Sequence, residues 1–413
     1  NITIIDLDIN GYRANGMMPI QKSFGKGFII ALPFDVNQTI TDIRNERKPF
    51  YYPSRKFPNE IVSKINKGEV RKLIVNCLRK LFAKMSLPYV HLWYYPNGYQ
   101  TAFAFRIDID FDSEKALNAV YDLEKKTNSR FTYFANTKTQ TDFANQKDYQ
   151  LHCYHHKVFK DYQQNFDNIH TAQQLLGKNN IKPIGFAAPF GSWNKNLQKA
   201  MEDCHIHYSS EFSLDYDDLP FYPIIDNRRS TVLQIPIHPI CVGRLVHAGL
   251  TAEQIFNYYQ KYIVKQRQSR EPIFLYDHPW RISQFSNVFQ QVLAFIKNQP
   301  EIWQTTLTEF YFWWQKRLQI LDECQWHIDK NQLVVQTQNY VNQAVLHIIN
   351  TVGQETFLPL HTGIYNLNDL KYQPICFNKI TELNCYLKLK SKSTKFKLYF
   401  YLTLDKILKL LKI

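Results

Sequence analysis

Several absences narrow the reading of this 413-residue chain before any motif is considered. It contains no run of eighteen or more apolar residues, about the length a helix needs to cross a bilayer, so no transmembrane helix is expected. Its seven cysteines (Cys77, Cys153, Cys204, Cys241, Cys324, Cys376 and Cys385) form no C-x-x-C pair and are widely scattered. That argues against a disulfide framework and against a Cys-type zinc site. Such cysteines suit a reducing compartment, or are simply buried thiols. Acidic residues are outnumbered, 36 against 50 basic ones, for a net charge of +14. The excess favours anionic partners. However, no long block of consecutive Lys and Arg occurs, nor a zinc-finger, RNP or Gly-rich phosphate motif. The preferred reading is a scatter of basic residues over solvated faces, and nucleic acid is not the expected partner. The chain opens with Asn1 followed by Ile2-Thr3-Ile4-Ile5-Asp6, which reads as a strand without the basic and apolar regions of a signal peptide. It therefore looks like a trimmed chain or a fragment, with compartment open and the cytoplasm favoured.

A hydrophobic content of 45% and an aromatic content of 15% supply enough apolar surface for real cores. The length suits two or three domains. Residues 1–95 read as a partial α/β segment of unknown role: strands at 2–9 and 27–33, a polar loop, then a helix near Val70 to Met85. Residues 96–320 alternate strands (102–110, 130–135, 148–153, 183–188, 206–210, 231–237 and 272–277) with amphipathic helices. One helix carries Tyr162, Phe166, Ile169, Ala172 and Leu176 at helical spacing, with Gly177 as its stop. Another opens at Thr251 with Gln254 three residues on, a capping box. This alternation predicts parallel strands with helical crossovers, and about seven of them fit a distorted (β/α)7 barrel. Residues 321–413 read as a small β-sandwich with strands at 332–337, 344–350 and 382–390. The basic, amphipathic tail from Phe396 to Ile413 is expected to close that domain, peripheral membrane contact being the alternative.

Three stretches carry candidate chemistry. In Phe105-Arg106-Ile107-Asp108-Ile109-Asp110-Phe111, strand alternation puts Arg106, Asp108 and Asp110 on one face. On the inward face of a barrel strand such groups must pair or bind a cation. The plainer alternative is a strand end whose carboxylates meet solvent and cap the next helix. In His152-Cys153-Tyr154-His155-His156, the i,i+4 spacing of His152 and His156 would let one helical turn chelate an ion. A surface His cluster is the ordinary alternative, but the position, after a strand and before a helix, is where barrel enzymes place active-site groups. One Asp and two His with an open water position is a recognised catalytic metal pattern. Finally, Phe274-Leu275-Tyr276-Asp277-His278-Pro279 ends the last barrel strand beside the first, near Asp108 and Asp110. For His278 alone a buried structural role would be the default.

In this order the motifs resemble the polysaccharide deacetylase family, the NodB-homology or carbohydrate esterase 4 group, over roughly residues 100–320. Asp108 and Asp110 resemble the first motif in its Asp-x-Asp form, and His152 and His156 the H-x-x-x-H second motif. Gly185 to Gly191, with Trp193 and Asn194 after it, corresponds to the third motif, and Leu275 to His278 to the fifth. The resemblance implies a divalent ion, Zn2+ by preference, on Asp110, His152 and His156. It implies Asp108 as base, His278 as acid, and a backbone N–H of the Pro189-Phe190-Gly191 loop as oxyanion donor. Its expected substrate is an N-acetylated amino sugar of a glycan, peptidoglycan or lipid-linked saccharide. Two departures stand out. Ala187 occupies the place of the family's base-orienting Arg, and Ser209-Ser210-Glu211-Phe212 replaces the fourth motif. Arg106, two residues before Asp108, is expected to supply the missing cation by pairing with Asp108 or Glu211. His238, at another strand end, is a candidate substrate contact or a structural His. If no residue compensates for Ala187, a catalytically weakened fold serving as a carbohydrate-binding or scaffold module is the alternative.

Overall fold

A computed structural model describes residues 2–4, 20–25, 27–50, 58–140, 143–144, 147–338 and 342–375. Its centre is a curled sheet of seven parallel strands: β1 (Thr101–Ile109), β2 (Thr132–Ala135), β3 (Asp148–Leu151), β4 (Gly185–Phe186), β5 (Tyr208–Ser209), β6 (Leu233–Gln234) and β7 (Ile273–Asp277). The spatial order is β6-β5-β4-β3-β2-β1-β7, each pair parallel. A short strand at Ile302–Gln304 adds to the start of β1. No ladder joins β6 to β7, but the His238 N–H donates to the Phe274 carbonyl at 2.8 Å across the gap. The sheet is thus a distorted α/β barrel, nearly closed, as the strand–helix alternation predicts.

Alternation along β1 explains how the barrel fills. Phe103, Phe105, Ile107 and Ile109 face outward, into a core shared with the helices Glu114–Thr127, Ala252–Ser269 and Ser286–Lys297. Ala102 and Ala104 face inward, small enough to admit Phe134, Tyr208, Phe274 and Phe310. Arg106 and Asp108 continue that inward row, buried near the carboxyl end of the strand, where loops converge. The helix Leu307–Glu323 fills the other end of the barrel with Leu307, Phe310 and Trp314. Its start is fixed by a Thr306–Glu309 capping box. The expected box at Thr251 and Gln254 is present too, opening Ala252–Ser269.

The flanking segments meet each other. Tyr89–Leu92, just before the barrel, pairs antiparallel with Val345–Ile349, which pairs in turn with Gln354–Pro359. A second sheet holds Cys324–Asp329, Gln332–Thr337 and Gly363–Asn366, and Leu92, Leu333, Val335, Leu346 and Ile348 share one core. The carboxyl-terminal β unit therefore includes a strand from the amino-terminal segment, which sequence order alone had kept apart. The cause is an edge to be covered: the backbone groups of Val345–Ile349 find partners on both sides only when Tyr89–Leu92 is added. Five cysteines (Cys77, Cys153, Cys204, Cys241 and Cys324) are free and buried. No helix among the described residues is long and apolar enough to cross a membrane. The expected strand at 382–390, the tail from Phe396, Cys376, Cys385 and most of the first strand lie outside the described residues.

Candidate metal centre

At the carboxyl end of the barrel, Asp110 Oδ1 lies 3.0 Å from His152 Nε2 and 2.9 Å from His156 Nε2. The two imidazole nitrogens are 3.2 Å apart. A tetrahedral site with bonds of about 2.0–2.1 Å has donor–donor edges of about 3.3 Å, so the spacing suits one small cation. The protonation pattern points the same way. His152 Nδ1 is 2.7 Å from the Ala187 carbonyl, which can only accept, so Nδ1 carries the proton. In the neutral ring Nε2 is then a bare lone pair aimed at a carboxylate oxygen. Asp110 Oδ1 is buried and has no partner with hydrogen-bond geometry, close as the two rings are. Acceptors facing acceptors around a buried oxygen are costly unless a cation sits among them.

His152 and His156 converge without a helical turn, which corrects the expectation from their spacing. Residues 152–157 form an irregular loop, with Cys153 in the left-handed region at φ 69°. Asn168, buried on the helix Tyr162–Gly177, holds it by accepting from the Tyr154 and His155 N–H groups and donating to the His155 and Lys157 carbonyls. One amide thus saturates the backbone that a helix would have satisfied internally.

Asp108, only 3% exposed, receives two hydrogen bonds from Arg106, Nε to Oδ1 at 2.6 Å and Nη2 to Oδ2 at 2.5 Å. Arg106 Nη1 donates to the Ser210 carbonyl, and its guanidinium lies 5.4 Å from the ring centre of Phe134 and 5.1 Å from that of Tyr276. Burial acts to raise Asp108, but Arg106 prevails and keeps it below the ordinary carboxylate value. Glu211 is equally buried but has no hydrogen bond to Arg106. Its Oε1 accepts from Ala188 N at 2.6 Å and Ser209 Oγ at 2.9 Å, while Oε2 has no partner. Burial pushes its carboxyl up to about 8, so Glu211 is mostly neutral at pH 7 and not an ionic partner for the guanidinium.

His278 Nε2 is 3.5 Å from Asp110 Oδ2, and its Nδ1 is 3.7 Å from Asp277 Oδ1. Burial disfavours the imidazolium, but the Asp277, Asp110 and Asp108 carboxylates outweigh it and push the ring up to about 9. Asp277 is pinned by the Val242 and His278 N–H groups at 2.7 and 2.9 Å. Cys241, Asp277 and His278 also approach one another. There, however, the carboxylate is taken by backbone N–H groups, and burial pushes the Cys241 thiol up to about 12, so this group is a poor metal site.

In the third-motif loop, Phe190 takes φ 60° and exposes its ring, which meets His156 edge-on at 4.9 Å. Gly191, at φ +59°, is packed so closely that a Cβ would lie 2.2 Å from the Phe212 ring. Its N–H already donates to Ala188 O at 3.0 Å, and Pro189 has none, so Phe190 is left as the loop's donor. Trp193 is turned away as a structural residue, its indole N–H donating to Gln198 at 3.0 Å and its ring packed on the core of Leu151, Ile169 and Leu197. Of the two readings left open for His238, its surroundings fit the structural one. Its ring is buried, with Nδ1 2.9 Å from Asp217, Nε2 2.9 Å from Tyr258 Oη and Tyr262 stacked at 3.9 Å. No polar atom remains for a substrate.

Three contributors escaped the sequence reading. Asp277 precedes a recognised His but points to the opposite side of the strand. Asn168 lies inside a helix and carries no local signal. Asp112 bridges two loops, accepting from Asp110 N at 3.2 Å and Trp280 N at 2.9 Å; its proximity to the D-x-D pair was the one available hint.

No family model matches the chain, and no curated protein does. Solved structures do. A polysaccharide deacetylase from Mycobacterium smegmatis aligns over 55% of this chain and 94% of its own, at 14% identity and TM-score 0.48. A CE4 family pseudoenzyme from Bacillus anthracis aligns over 52% and 68%, at 13% identity and TM-score 0.35. A family 4 carbohydrate esterase from Streptomyces lividans, in complex with acetate, aligns over 49% and 91%, at 12% identity and TM-score 0.31. Polysaccharide deacetylases and CE4 esterases are what this chain is similar to in backbone, at low sequence identity.

Proposed function

We propose that the chain is a metal-dependent hydrolase that removes the N-acetyl group of an amino sugar within a glycan, peptidoglycan strand or lipid-linked saccharide. The observation that carries this reading is the convergence of Asp110, His152 and His156 on one point, with Asp108 and His278 close by. Asp110, His152 and His156 would hold the ion, Zn2+ by preference given two imidazoles and one carboxylate. When bound, a divalent ion there polarises an acyl carbonyl and brings the pKa of a water toward neutrality.

The protein's own groups supply the rest. Asp108, kept ionised and fixed by Arg106, takes the proton from the attacking water. The Phe190 N–H donates to the developing oxyanion. His278, favoured as imidazolium by Asp277, gives its proton to the departing amine so that it leaves neutral. Arg106 acts where Ala187 cannot, because its two bonds to Asp108 come from the same strand face.

A specific observation also favours the catalytically weakened reading: Asp108 has both oxygens on Arg106 and is almost wholly buried, which makes it a weak base. One experiment decides between them. Bound metal is quantified and acetate release from N-acetylglucosamine oligomers is assayed, with His152→Ala as control. Stoichiometric metal with metal-dependent acetate release supports the enzyme. Bound metal without acetate leaves a metal-binding pseudoenzyme, and no bound metal in zinc-loaded protein removes both that pseudoenzyme and the enzyme.

A further inference from the structure

Asn136 is wholly buried, yet one end of its side-chain amide has no partner. It follows directly on β2, and the sheet register fixes where it stands. Ile109, Ala135 and Leu151 lie side by side on β1, β2 and β3, so the next residues across the three strands are Asp110, Asn136 and His152. The ladder carries on at this level: the Asn136 N–H donates to the Ile109 carbonyl and the His152 N–H to the Ala135 carbonyl, both at 2.9 Å. Alternation then gives the direction. Phe134 lies in the inner core and Ala135 in the outer one, which turns Asn136 inward again, between two of the three candidate ligands.

The amide is held by its other end. Its Oδ1 accepts from Lys138 N at 3.1 Å, which leaves Nδ2 unpartnered. The loop that follows is tied to both neighbouring strand ends. Thr139 Oγ1 donates to the Asp110 carbonyl at 2.6 Å, and the Thr137 N–H donates to the Cys153 carbonyl at 3.2 Å. Acceptors of the site are engaged elsewhere. Arg106 donates to both oxygens of Asp108, His152 Nδ1 donates to the Ala187 carbonyl, and Asp110 Oδ1 faces the two imidazole nitrogens. A buried amide nitrogen without an acceptor is costly and uncommon in folded proteins. An apolar side chain of similar size would avoid that cost, so the donor is best explained by an acceptor that arrives with a ligand. Because Nδ2 can only donate, the ligand atom it meets is an oxygen lone pair rather than a cation.

We propose that Asn136 is a catalytic residue whose Nδ2 donates a hydrogen bond to the acyl oxygen of the substrate. This rests on the reading of the cleft as an N-deacetylase site, and it adds a side-chain donor to the Phe190 N–H. In the sheet β2 and β4 flank β3, so Asn136 and the Phe190 loop approach from the two sides of His152. As the acyl carbon becomes tetrahedral, negative charge collects on that oxygen, and a donor fixed beforehand strengthens its bond without reorganising. The same donor suits an oxygen of acetate, the product.

The test compares wild type with Asn136→Ala and with Asn136→Asp, which keeps the size of the side chain and the bond from Lys138 but replaces the donor by an oxygen. Acetate affinity of the zinc-loaded proteins is measured by calorimetry, and acetate release from N-acetylglucosamine oligomers gives kcat and KM. Both variants should hold one zinc per chain and lose about fivefold or more in acetate affinity. Their kcat should fall about 10²-fold with KM little changed. If Asn136→Ala does not fold, Asn136→Asp carries the test. Wild type that binds acetate no better than the variants would overturn the proposal. A loss of zinc with unchanged acetate affinity per bound zinc would overturn it too, since Asn136 would then support the ligands and not the acyl oxygen. The two readings fail separately. Wild type that binds acetate more tightly than both variants but releases none removes the deacetylase and keeps Asn136 as the oxygen donor. Equal acetate release by wild type and variants keeps the deacetylase and removes the role of Asn136.

Discussion

Replacing Arg106 with Ala tests the account where it departs most from the motif pattern. The substitution takes three donors from a buried site: two from Asp108 and one from the Ser210 carbonyl. Breaking a buried ion pair by deleting one partner costs about 3–5 kcal/mol, because the other charge stays desolvated. Arg106 also fills the space between the Phe134 and Tyr276 rings, so the upper part of that range is expected in urea unfolding. The catalytic effect has a defined direction. In the wild type Arg106 keeps Asp108 below the usual carboxylate value against the pull of burial. Without it burial is opposed only by the more weakly acting His152 and His278, the carboxyl titrates higher, and the acid limb of the kcat/KM profile moves up in pH. Turnover near pH 7 should fall about 10²–10⁴-fold, the usual contribution of a positioned base, while bound metal stays near one per chain. Arg106→Lys separates charge from geometry. A single ammonium cannot make the paired contacts, so it should recover part of the stability and little of the turnover. Arg106→Ala protein with wild-type acetate release and an unmoved acid limb would refute the assignment of Arg106 as the positioning residue.

Other expectations are direct. Asn168→Ala removes the amide that holds the His152–Lys157 loop; zinc affinity should fall about 10–100-fold, measured by competition with a chromophoric chelator, and unchanged affinity would mean the loop is set elsewhere. Glu211→Gln should change the pH dependence of stability. Burial lifts the Glu211 carboxyl to about 8, so its contribution is fully present below about pH 4.5 and is lost as pH rises through 8. At roughly 1.4 kcal/mol per pH unit that loss is a few kcal/mol. The neutral Gln escapes it, so melting curves should show the variant gaining on wild type as pH goes from 5 to 9; parallel curves would contradict a buried neutral Glu211. Stripping the metal with a chelator should lower the melting temperature of wild type but not of Asp110→Asn/His156→Ala, since only a protein with the site gains stability from the ion.

The barrel was legible because its strands are apolar runs spaced by helical patterns, and the order of β1 to β7 follows the chain. The inward row of β1 was legible too, since period-two alternation leaves Arg106, Asp108 and Asp110 no other shared face. What could not be read was non-local. Tyr89–Leu92 joins a sheet with Val345–Ile349 across more than two hundred residues, and neither segment announces its partner. The His152–His156 pair was found by a spacing that suits a helix, but the convergence is achieved by a loop braced from Asn168. His238 has the look of a site residue because it ends a strand, yet Asp217 and Tyr258 consume both of its nitrogens.

The central claim is that Asp110, His152 and His156 bind one ion that the chain uses to remove acetyl groups. Its most direct test is a zinc titration of chelator-stripped protein, following acetate release from an N-acetylglucosamine oligomer. The account predicts no release at the start, a linear rise, and a break at one zinc per chain, with His152→Ala flat throughout. Release that is independent of zinc, or equal in His152→Ala, would contradict it.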